Sequence, residues 1–395
     1  MSGSYRAALY IHIPYCVQKC DYCDFYSSCD VSSSEALLRQ IPLQLRELSV
    51  LYNVSGFSSL YLGGGTPALV NPLALEQMFS EIRVLNGGHL PGEVTMECNP
   101  RNVSAENLDI WMRSGINRIS LGVQSFQDGF LARAGRKSSR EAILRALNLL
   151  AERRSRLNLN IDLIQGLPGM DQSDQLQDVT EALDWQPDHL SWYSLIMEPG
   201  TRLSREWEER NGDLDTDNEN IWLAGCDLIE NRGYRRYETS NFCLPGKESR
   251  HNSSYWRMEP YLGCGPAAVS MLRSDDDKIV RFKTRAAADE FSRGIVEYDD
   301  TEILDSAEFL KDFLMMGLRL SRGIELKRFK KIFGSSVAEL IPDSLSLWEG
   351  RGCLLLTYDH LRCTEKGMDL LNSILISFFD EIDRRHPALP VNWPG

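Results

Sequence analysis

The first half of the chain alternates two kinds of segment that differ in the spacing of their apolar residues. Short runs rich in β-branched and aromatic residues predict six strands, at residues 9–13, 59–62, 94–98, 118–123, 159–164 and 189–196. Longer segments with apolar positions at helical spacing predict helices over residues 35–48, 74–85, 105–112, 140–150 and 174–183. Strands that alternate with helices are typical of parallel βα units, so the pattern predicts an α/β fold built as a barrel or partial barrel.

The last quarter of the chain shows a different pattern, with helices and one short hairpin. An apolar helical stripe covers residues 309–320, and a second helix begins after Gly323. Residues 353–364 alternate as strand, turn and strand ahead of a helix from Glu365, which is typical of a winged-helix module. We therefore predict a core domain at residues 1–240, a connecting segment at 241–302 and a C-terminal α+β domain at 303–395.

Composition and charge narrow the classes of function. The 395 residues are 43% hydrophobic, which is enough for one large domain and a small one. A formal net charge of -13 argues against generic binding to nucleic-acid phosphates. Because the chain has no run of about 18 apolar residues, we expect no membrane span and at most peripheral contact with a membrane. The first residues, Met-Ser-Gly-Ser-Tyr-Arg, form no apolar signal segment, so we expect the ten cysteines to stay reduced in the cytoplasm.

Three cysteines lie close together near the start of the chain, in the spacing C-x3-C-x2-C. Cys16, Cys20 and Cys23 offer three thiolates and not four. A 4Fe-4S cluster held by three thiolates keeps one iron open for a substrate or cofactor. A structural zinc ion needs four cysteine or histidine ligands, usually from two pairs spaced like C-x2-C, and the sequence has no second pair with this spacing. The spacing therefore favours an iron–sulfur cluster, with zinc and chance packing as competing interpretations. Cys29 would block the open iron as a fourth ligand, so we expect it not to bind the cluster.

Several polar or glycine-rich positions fall at the carboxyl ends of the predicted strands, where function gathers in barrels of this kind. Residues 63–66, Gly-Gly-Gly-Thr, follow the second strand, so a ligand can approach the backbone closely there. The segment lacks the Gly-Lys-Ser/Thr ending of a P-loop, and a plain tight turn is the alternative. The polar side chains at the ends of the later strands are Glu97, Gln124, Asp162 and Ser194. Each of these also fits the role of an ordinary loop or cap residue.

Six motifs occur in the order expected for one known superfamily. The first two are Tyr10-Ile-His-Ile-Pro-Tyr-Cys, continued by the other two cysteines, and the Gly-Gly-Gly-Thr-Pro turn. The later four begin at Thr95, Arg118, Asp162 and Tyr193. Together they resemble the radical S-adenosylmethionine superfamily, in the branch that contains oxygen-independent coproporphyrinogen III oxidases. The resemblance implies a partial (β/α)6 barrel, a 4Fe-4S cluster with S-adenosylmethionine, and a C-terminal domain of the same kind as in these oxidases.

The resemblance implies how the chain would hold the methionyl group of S-adenosylmethionine, whose amine and carboxylate chelate the open iron. Gly64, Gly65 and Thr66 would meet the amine, together with the carboxylate of Glu97. Arg136 would pair with the methionyl carboxylate, because a planar guanidinium suits a carboxylate better than lysine does. Arg136 also fits a second interpretation, since it lies in a charged stretch, Arg-Lys-Ser-Ser-Arg, that is typical of a solvated surface.

The resemblance also implies contacts to the rest of the cofactor. Gln124 and Asp162 would hydrogen-bond the ribose hydroxyls. Tyr22 and Ser194 lie where the family holds the adenine, and Tyr10 matches a tyrosine that contacts the cofactor.

Two features separate the subfamilies within this branch. Oxidases usually carry a further cysteine two residues after the third, where this chain has Phe25. His251-Asn-x2-Tyr255-Trp256 resembles a hallmark of the HemW-type haem chaperones, in which the histidine is implicated in holding haem as cargo. An imidazole is a common axial ligand of haem, although a lone histidine is more often a structural residue. One departure from the family pattern is Val269, where many relatives carry histidine.

Three hypotheses from different classes follow from the sequence. The favoured one is a haem-binding chaperone that delivers haem to respiratory proteins, with haem-accepting proteins and an electron donor as partners. The second is an oxygen-independent coproporphyrinogen III oxidase, which decarboxylates propionate side chains after radical hydrogen abstraction. The third is a scaffold that keeps the cluster but has no turnover. Phe25, the His-Asn-x2-Tyr-Trp motif and the short segment before the first strand favour the first hypothesis over the second.

Overall fold

In the computed structural model, which describes residues 3–209, 218–385 and 389–394, one mixed sheet forms the centre of the fold. Its strands, β1 to β12 in chain order, are Tyr5–Ile13, Val54–Gly64, Val94–Cys98, Arg118–Gln124, Asn158–Gln165, His189–Ser194, Arg235–Arg236, Asn241–Cys243, Tyr261–Cys264, Val269–Arg273, Ile279–Thr284 and Tyr298–Leu304. Across the sheet they follow the order β12, β11, β10, β9, β1, β2, β3, β4, β5, β6, β8, β7. Neighbours from β1 to β6 are parallel, which confirms the α/β class.

Helices connect the parallel strands as βα units require. In chain order, α1 to α10 are Ser34–Leu51, Pro72–Leu85, Ala105–Ser114, Asp128–Arg133, Arg140–Ala151, Gln172–Asp184, Arg202–Glu209, Asn218–Asn231, Arg250–Trp256 and Ala288–Ser292. The five predicted helices are present as α1, α2, α3, α5 and α6. Their starts follow local rules, because Ser104 and Ser139 cap α3 and α5, and Asp171 forms a capping box with Asp174 on α6.

The segment predicted as a connection contributes strands to the same sheet. β9 pairs in parallel with β1, and β10, β11 and β12 continue the sheet in antiparallel order. At the other side, β8 pairs antiparallel with β6. Hydrophobic periodicity did not predict these strands because they are short or, like β12, largely polar and exposed. The sixth predicted strand also ends earlier than expected, at Ser194.

A smaller C-terminal domain follows β12. Its helices, α11 to α16, are Ser306–Gly317, Leu326–Phe333, Val337–Leu340, Pro342–Gly350, Glu365–Asp369 and Leu371–Arg385, and its strands, β13 to β15, are Ile324–Glu325, Leu354–Leu356 and His360–Cys363. The predicted hairpin is formed by β14 and β15, which pair antiparallel. Phenylalanines of α11 and α12 pack with Trp393 in a separate hydrophobic core. Within the described residues, no helix combines the length and apolar character needed to cross a membrane.

Candidate functional site

The three clustered cysteines lie on a loop that leaves the carboxyl end of β1. The loop is closed by backbone hydrogen bonds, from Cys16 N to Ser28 O at 2.9 Å and from Cys23 N to Cys20 O at 3.1 Å. Buried Tyr15 anchors it to the core. All three thiols are free and partly exposed, and burial raises the pKa of Cys16 and of Cys23. Within the described residues, no three histidine, cysteine or carboxylate side chains are gathered so as to hold a single metal ion.

The glycine turn, which we define as residues 63–66, packs directly on the start of the cysteine loop. Gly65 N donates to Ile13 O at 2.9 Å, and Thr66 N donates to Tyr15 O at 2.7 Å. Side chains are excluded here, because a Cβ atom at Gly64 would lie 2.5 Å from the His12 ring and one at Gly65 would lie 2.6 Å from Tyr15 O. Gly64 also has φ +105°, which favours glycine.

The glycine turn also contacts a thiol of the cysteine loop and a buried carboxylate. The Cys16 Sγ atom lies 3.8 Å from Thr66 Oγ1. On the other side, Glu97 at the end of β3 accepts hydrogen bonds from the Tyr61 hydroxyl at 2.9 Å and from Gly64 N at 3.2 Å. Burial raises the pKa of Glu97 to about 7 against the effect of these two donors. The carboxyl group is therefore poised between its two protonation states near neutral pH.

Arg136 is held inside the site, not on a solvated surface. Its guanidinium Nη1 donates to the Tyr22 hydroxyl at 3.2 Å and lies 3.7 Å from Cys20 Sγ, and Nη2 donates to the Gly122 carbonyl. The third guanidinium nitrogen, Nε, is buried without a hydrogen-bond partner. A buried guanidinium with an unused donor fits an anionic group such as a carboxylate.

Gln124 and Asp162 follow on the next strands. Gln124 has φ +69° at an irregularity in the pairing of β4 with β5. A Cβ atom at Gly122 would lie 3.1 Å from Gln124 Nε2 and 3.0 Å from Arg136 Nη2, so these two side chains lie close together. Asp162 accepts hydrogen bonds from Ser120 Oγ and Asn160 Nδ2, and burial raises its pKa.

The predicted adenine contact on β6 is less closely tied to the rest of the site. Ser194 is exposed, and its hydroxyl donates to Gln165 Oε1 at 2.7 Å. Tyr22 and Ser194 were expected to share this role, but their contacts differ, because Tyr22 is bound to Arg136. The structure thus places the cysteines, the glycine turn, Glu97 and Arg136 around the carboxyl ends of β1 to β4, whereas Ser194 lies at the end of β6.

His251 lies in a different environment from the one expected for a histidine whose ring is free to bind iron. It is 1% exposed on α9, with Nδ1 2.9 Å from Ser59 Oγ and Nε2 2.9 Å from the Tyr255 hydroxyl. Burial lowers its pKa to about 3, so the ring is neutral. Binding of iron by His251 therefore requires that one of these two hydrogen bonds breaks. The haem role of His251 stays a prediction. Val269 lies on β10, opposite Lys283 of β11.

Sequence reasoning missed a polar interior beneath the site. A cavity of about 20 Å³ is lined only by side chains of polar residues and tyrosines, among them Thr95, Arg118, Asn160 and His189. Arg118 Nη2 and Thr95 Oγ1 have no hydrogen-bond partner there. The volume is enough for one ordered water molecule. The sequence carries one signal of this polar interior. Polar residues such as Ser120, Asn160 and Asp162 stand at alternate positions of strands that are predicted to be buried.

Comparisons with known proteins agree with this architecture. The model of the radical SAM superfamily matches residues 10–180, and that of the HemN C-terminal domain matches residues 304–370. The haem chaperone HemW of Escherichia coli (strain K12) is 33% identical over 386 residues, which cover 95% of this chain and 98% of that protein. The mitochondrial radical S-adenosyl methionine domain-containing protein 1 of Mus musculus is 31% identical over 426 residues, which cover 99% of this chain and 92% of that protein.

Among solved structures, the coproporphyrinogen III oxidase HemN from Escherichia coli, a radical SAM enzyme, matches with a TM-score of 0.77 at 20% identity. The match covers 95% of this chain and 90% of that chain. At this identity the similarity shows a shared fold, which confirms the predicted α/β core followed by a C-terminal domain.

Proposed function

Because the chain belongs to the radical SAM superfamily and, within it, to the family of the haem chaperone HemW, we propose that it binds haem and delivers it to haem-dependent proteins. The similarity to HemW proteins over 95% of the chain is the observation that carries this proposal. Haem is then the cargo, haem-accepting proteins and an electron donor are the partners, and the free thiols suit the reducing cytoplasm.

The residues present fit a 4Fe-4S cluster with S-adenosylmethionine. Cys16, Cys20 and Cys23 would hold three irons, and Arg136 next to Cys20 has a buried Nε donor left for the methionyl carboxylate. When bound together, the cluster and S-adenosylmethionine supply one-electron chemistry at the sulfonium group.

The remaining side chains would orient the cofactor and shield it from water. The backbone of the glycine turn can approach a ligand without side-chain obstruction, and Glu97 offers a carboxylate to the methionyl amine. Gln124 and Asp162 would bind the ribose hydroxyls. Tyr22 and Ser194 would contact the adenine, and Tyr10 would support the cofactor from the first strand.

The oxidase alternative has less support. HemN shares the fold at 20% identity, whereas the HemW protein of Escherichia coli is 33% identical. Phe25, which occupies the position of the further cysteine of oxidases, is 65% exposed, so its ring is available to an apolar ligand or partner at the cysteine loop.

The test reconstitutes the cluster anaerobically and supplies haem or coproporphyrinogen III in separate reactions with S-adenosylmethionine and a reductant. We expect stoichiometric haem binding, transfer of haem to an apo-haem protein, and no decarboxylated porphyrinogen. HemN from Escherichia coli serves as the positive control for decarboxylation. Formation of decarboxylated product by this chain at a rate comparable to HemN would refute the chaperone as the main function.

A further inference from the structure

Three aromatic rings, those of His251, Tyr61 and Tyr10, pack together in a compact group, which we call the ring cluster. The centroid of the Tyr61 ring lies 5.1 Å from that of His251, with an interplanar angle of 26°. Tyr10 lies 6.2 Å from Tyr61 at 28°, and 6.4 Å from His251 at 33°. The imidazole thus packs against two tyrosines that stand on neighbouring strands β1 and β2.

The ring cluster supports the glycine turn from two sides. On one side, the Tyr61 hydroxyl donates to Glu97, which in turn accepts from Gly64 N. On the other side, the Tyr10 hydroxyl lies 3.1 Å from His12 Nδ1, and the His12 ring lies directly beneath Gly64. His12 Nε2 lies 3.0 Å from the Tyr26 carbonyl, so Nε2 carries the proton and Nδ1 accepts from Tyr10. Both paths end at Gly64.

His251 itself is fixed by hydrogen bonds at both ring nitrogens and at its backbone. Besides Ser59 and Tyr255 at its two nitrogens, its backbone N–H donates to Glu93 Oε1 at 2.9 Å. The Tyr255 ring packs edge-on against Tyr261 of β9 at 4.9 Å. An imidazole held at both nitrogens and at its backbone has a single position, so it can fix the rings that pack on it.

We infer that His251 is a positioning residue of the cofactor site, which acts through Tyr61 and Tyr10 to hold Glu97 and the glycine turn in place. The inference rests on the proposed function, because it presumes that the glycine turn and Glu97 meet the methionyl group. It assigns to the histidine of the His-Asn-x2-Tyr-Trp motif a task other than binding iron. Removal of the ring leaves a gap beside Tyr61, whose hydroxyl is then free to leave Glu97.

The test measures binding of S-adenosylhomocysteine, which has the same amine and carboxylate but is not cleaved, to cluster-loaded protein between about pH 6 and 9. The midpoint of this pH profile reports the ionisation of Glu97, whose charged or titratable neighbours are Asp162, Tyr61, Tyr10 and Cys98. Haem affinity and cluster absorbance are recorded on the same samples. The variants are His251→Ala, which removes the ring, and His251→Phe, which keeps a ring but has no nitrogen for iron. His360→Ala, on the distant hairpin strand β15, is the matched control.

For His251→Ala we expect the pH midpoint to rise by about one pH unit, because Glu97 loses a hydrogen-bond donor to its charged form. For His251→Phe, which keeps a ring beside Tyr61 but loses the hydrogen bonds to Ser59 and Tyr255, we expect a smaller rise than for His251→Ala, and for both variants an unchanged haem affinity. An unchanged profile in His251→Ala would overturn the inference, and so would a loss of haem binding in both variants with the profile intact. If His251→Ala does not fold, Tyr255→Phe removes only the hydroxyl at Nε2 and should raise the midpoint by a smaller amount. A wild-type protein that does not bind S-adenosylhomocysteine would instead overturn the proposed cofactor site, and this inference with it.

Discussion

Replacing Glu97 with glutamine is expected to stabilise the ligand-free protein at alkaline pH and to leave its stability nearly unchanged at acid pH. Burial raises the pKa of this carboxyl group from 4.5 to about 7 in the folded protein. Between these two values the folded protein keeps the proton that the unfolded chain has already released. Glutamine has nearly the same shape and does not ionise, so it removes this difference.

The sign and size of the effect follow from proton linkage. Since the folded state binds more protons than the unfolded state between about pH 4.5 and 7, the free energy of unfolding falls as the pH rises through this range and stays low above it. The difference between 4.5 and about 7 corresponds to about 3 kcal/mol, at 1.36 kcal/mol per pKa unit. We therefore expect Glu97→Gln to be more stable than the wild type by up to about 3 kcal/mol at pH 8.

Urea unfolding of the cluster-free protein at pH 4.5 and at pH 8 measures the free energy of unfolding directly, with wild type and Glu97→Gln compared at each pH. Glu81→Gln on α2 is the control, because Glu81 is exposed and its replacement should change the stability by less than about 0.5 kcal/mol at both values. A difference between Glu97→Gln and wild type that is the same at pH 4.5 and pH 8 would show that the Glu97 carboxyl ionises in the folded protein as it does in the unfolded chain.

Three further predictions concern the cluster and the turn. Arg136→Lys should weaken binding of S-adenosylhomocysteine by about tenfold or more with the cluster absorbance intact, because lysine cannot supply the paired donors of the guanidinium. Arg133→Lys, at an exposed position, should leave this affinity unchanged and serves as the control. Calorimetry measures both affinities, and equal values for the two variants would contradict the prediction. Cys20→Ser should abolish the cluster absorbance after reconstitution, and Cys29→Ser should retain it, as iron and sulfide analysis can check. Gly64→Ala should lower the free energy of unfolding by about 1–3 kcal/mol, measured in urea, because the added Cβ meets the His12 ring at a positive φ; an unchanged value would mean that the turn can relax.

The sequence was sufficient to predict the residues at the carboxyl ends of the first strands. In parallel βα units these ends meet at one edge, so a strand pattern is enough to place the cysteine loop, the glycine turn and Glu97 side by side. Arg136 was harder, because a stretch of charged residues has the same pattern whether it faces solvent or a ligand. Only the contacts of its guanidinium with Tyr22 and the Gly122 carbonyl decide between the two.

The environment of His251 could not be predicted from the sequence. Its neighbours Ser59 and Tyr61 are about 190 residues away in the chain, and periodicity carries no information on which helix enters the interior of a sheet. The strands β9 to β12, which extend the sheet beyond β1, were missed for a related reason. Their short or polar segments become strands only through pairing with partners that are already in place.

Two groups of opposite charge in the same site, the Glu97 carboxyl and the Arg136 guanidinium, each destabilise the ligand-free protein. Glu97 is buried so that its ionised form is disfavoured, and Arg136 keeps a buried donor without a partner. Each cost is removed by a ligand group of the complementary kind, an ammonium for the carboxylate and a carboxylate for the guanidinium. A ligand that carries both groups, as the methionyl part of S-adenosylmethionine does, would offset both costs at once, whereas an adenosine without that part would offset neither. Adenosine should therefore bind much more weakly than S-adenosylhomocysteine, and this difference should be lost when Glu97 and Arg136 are both replaced.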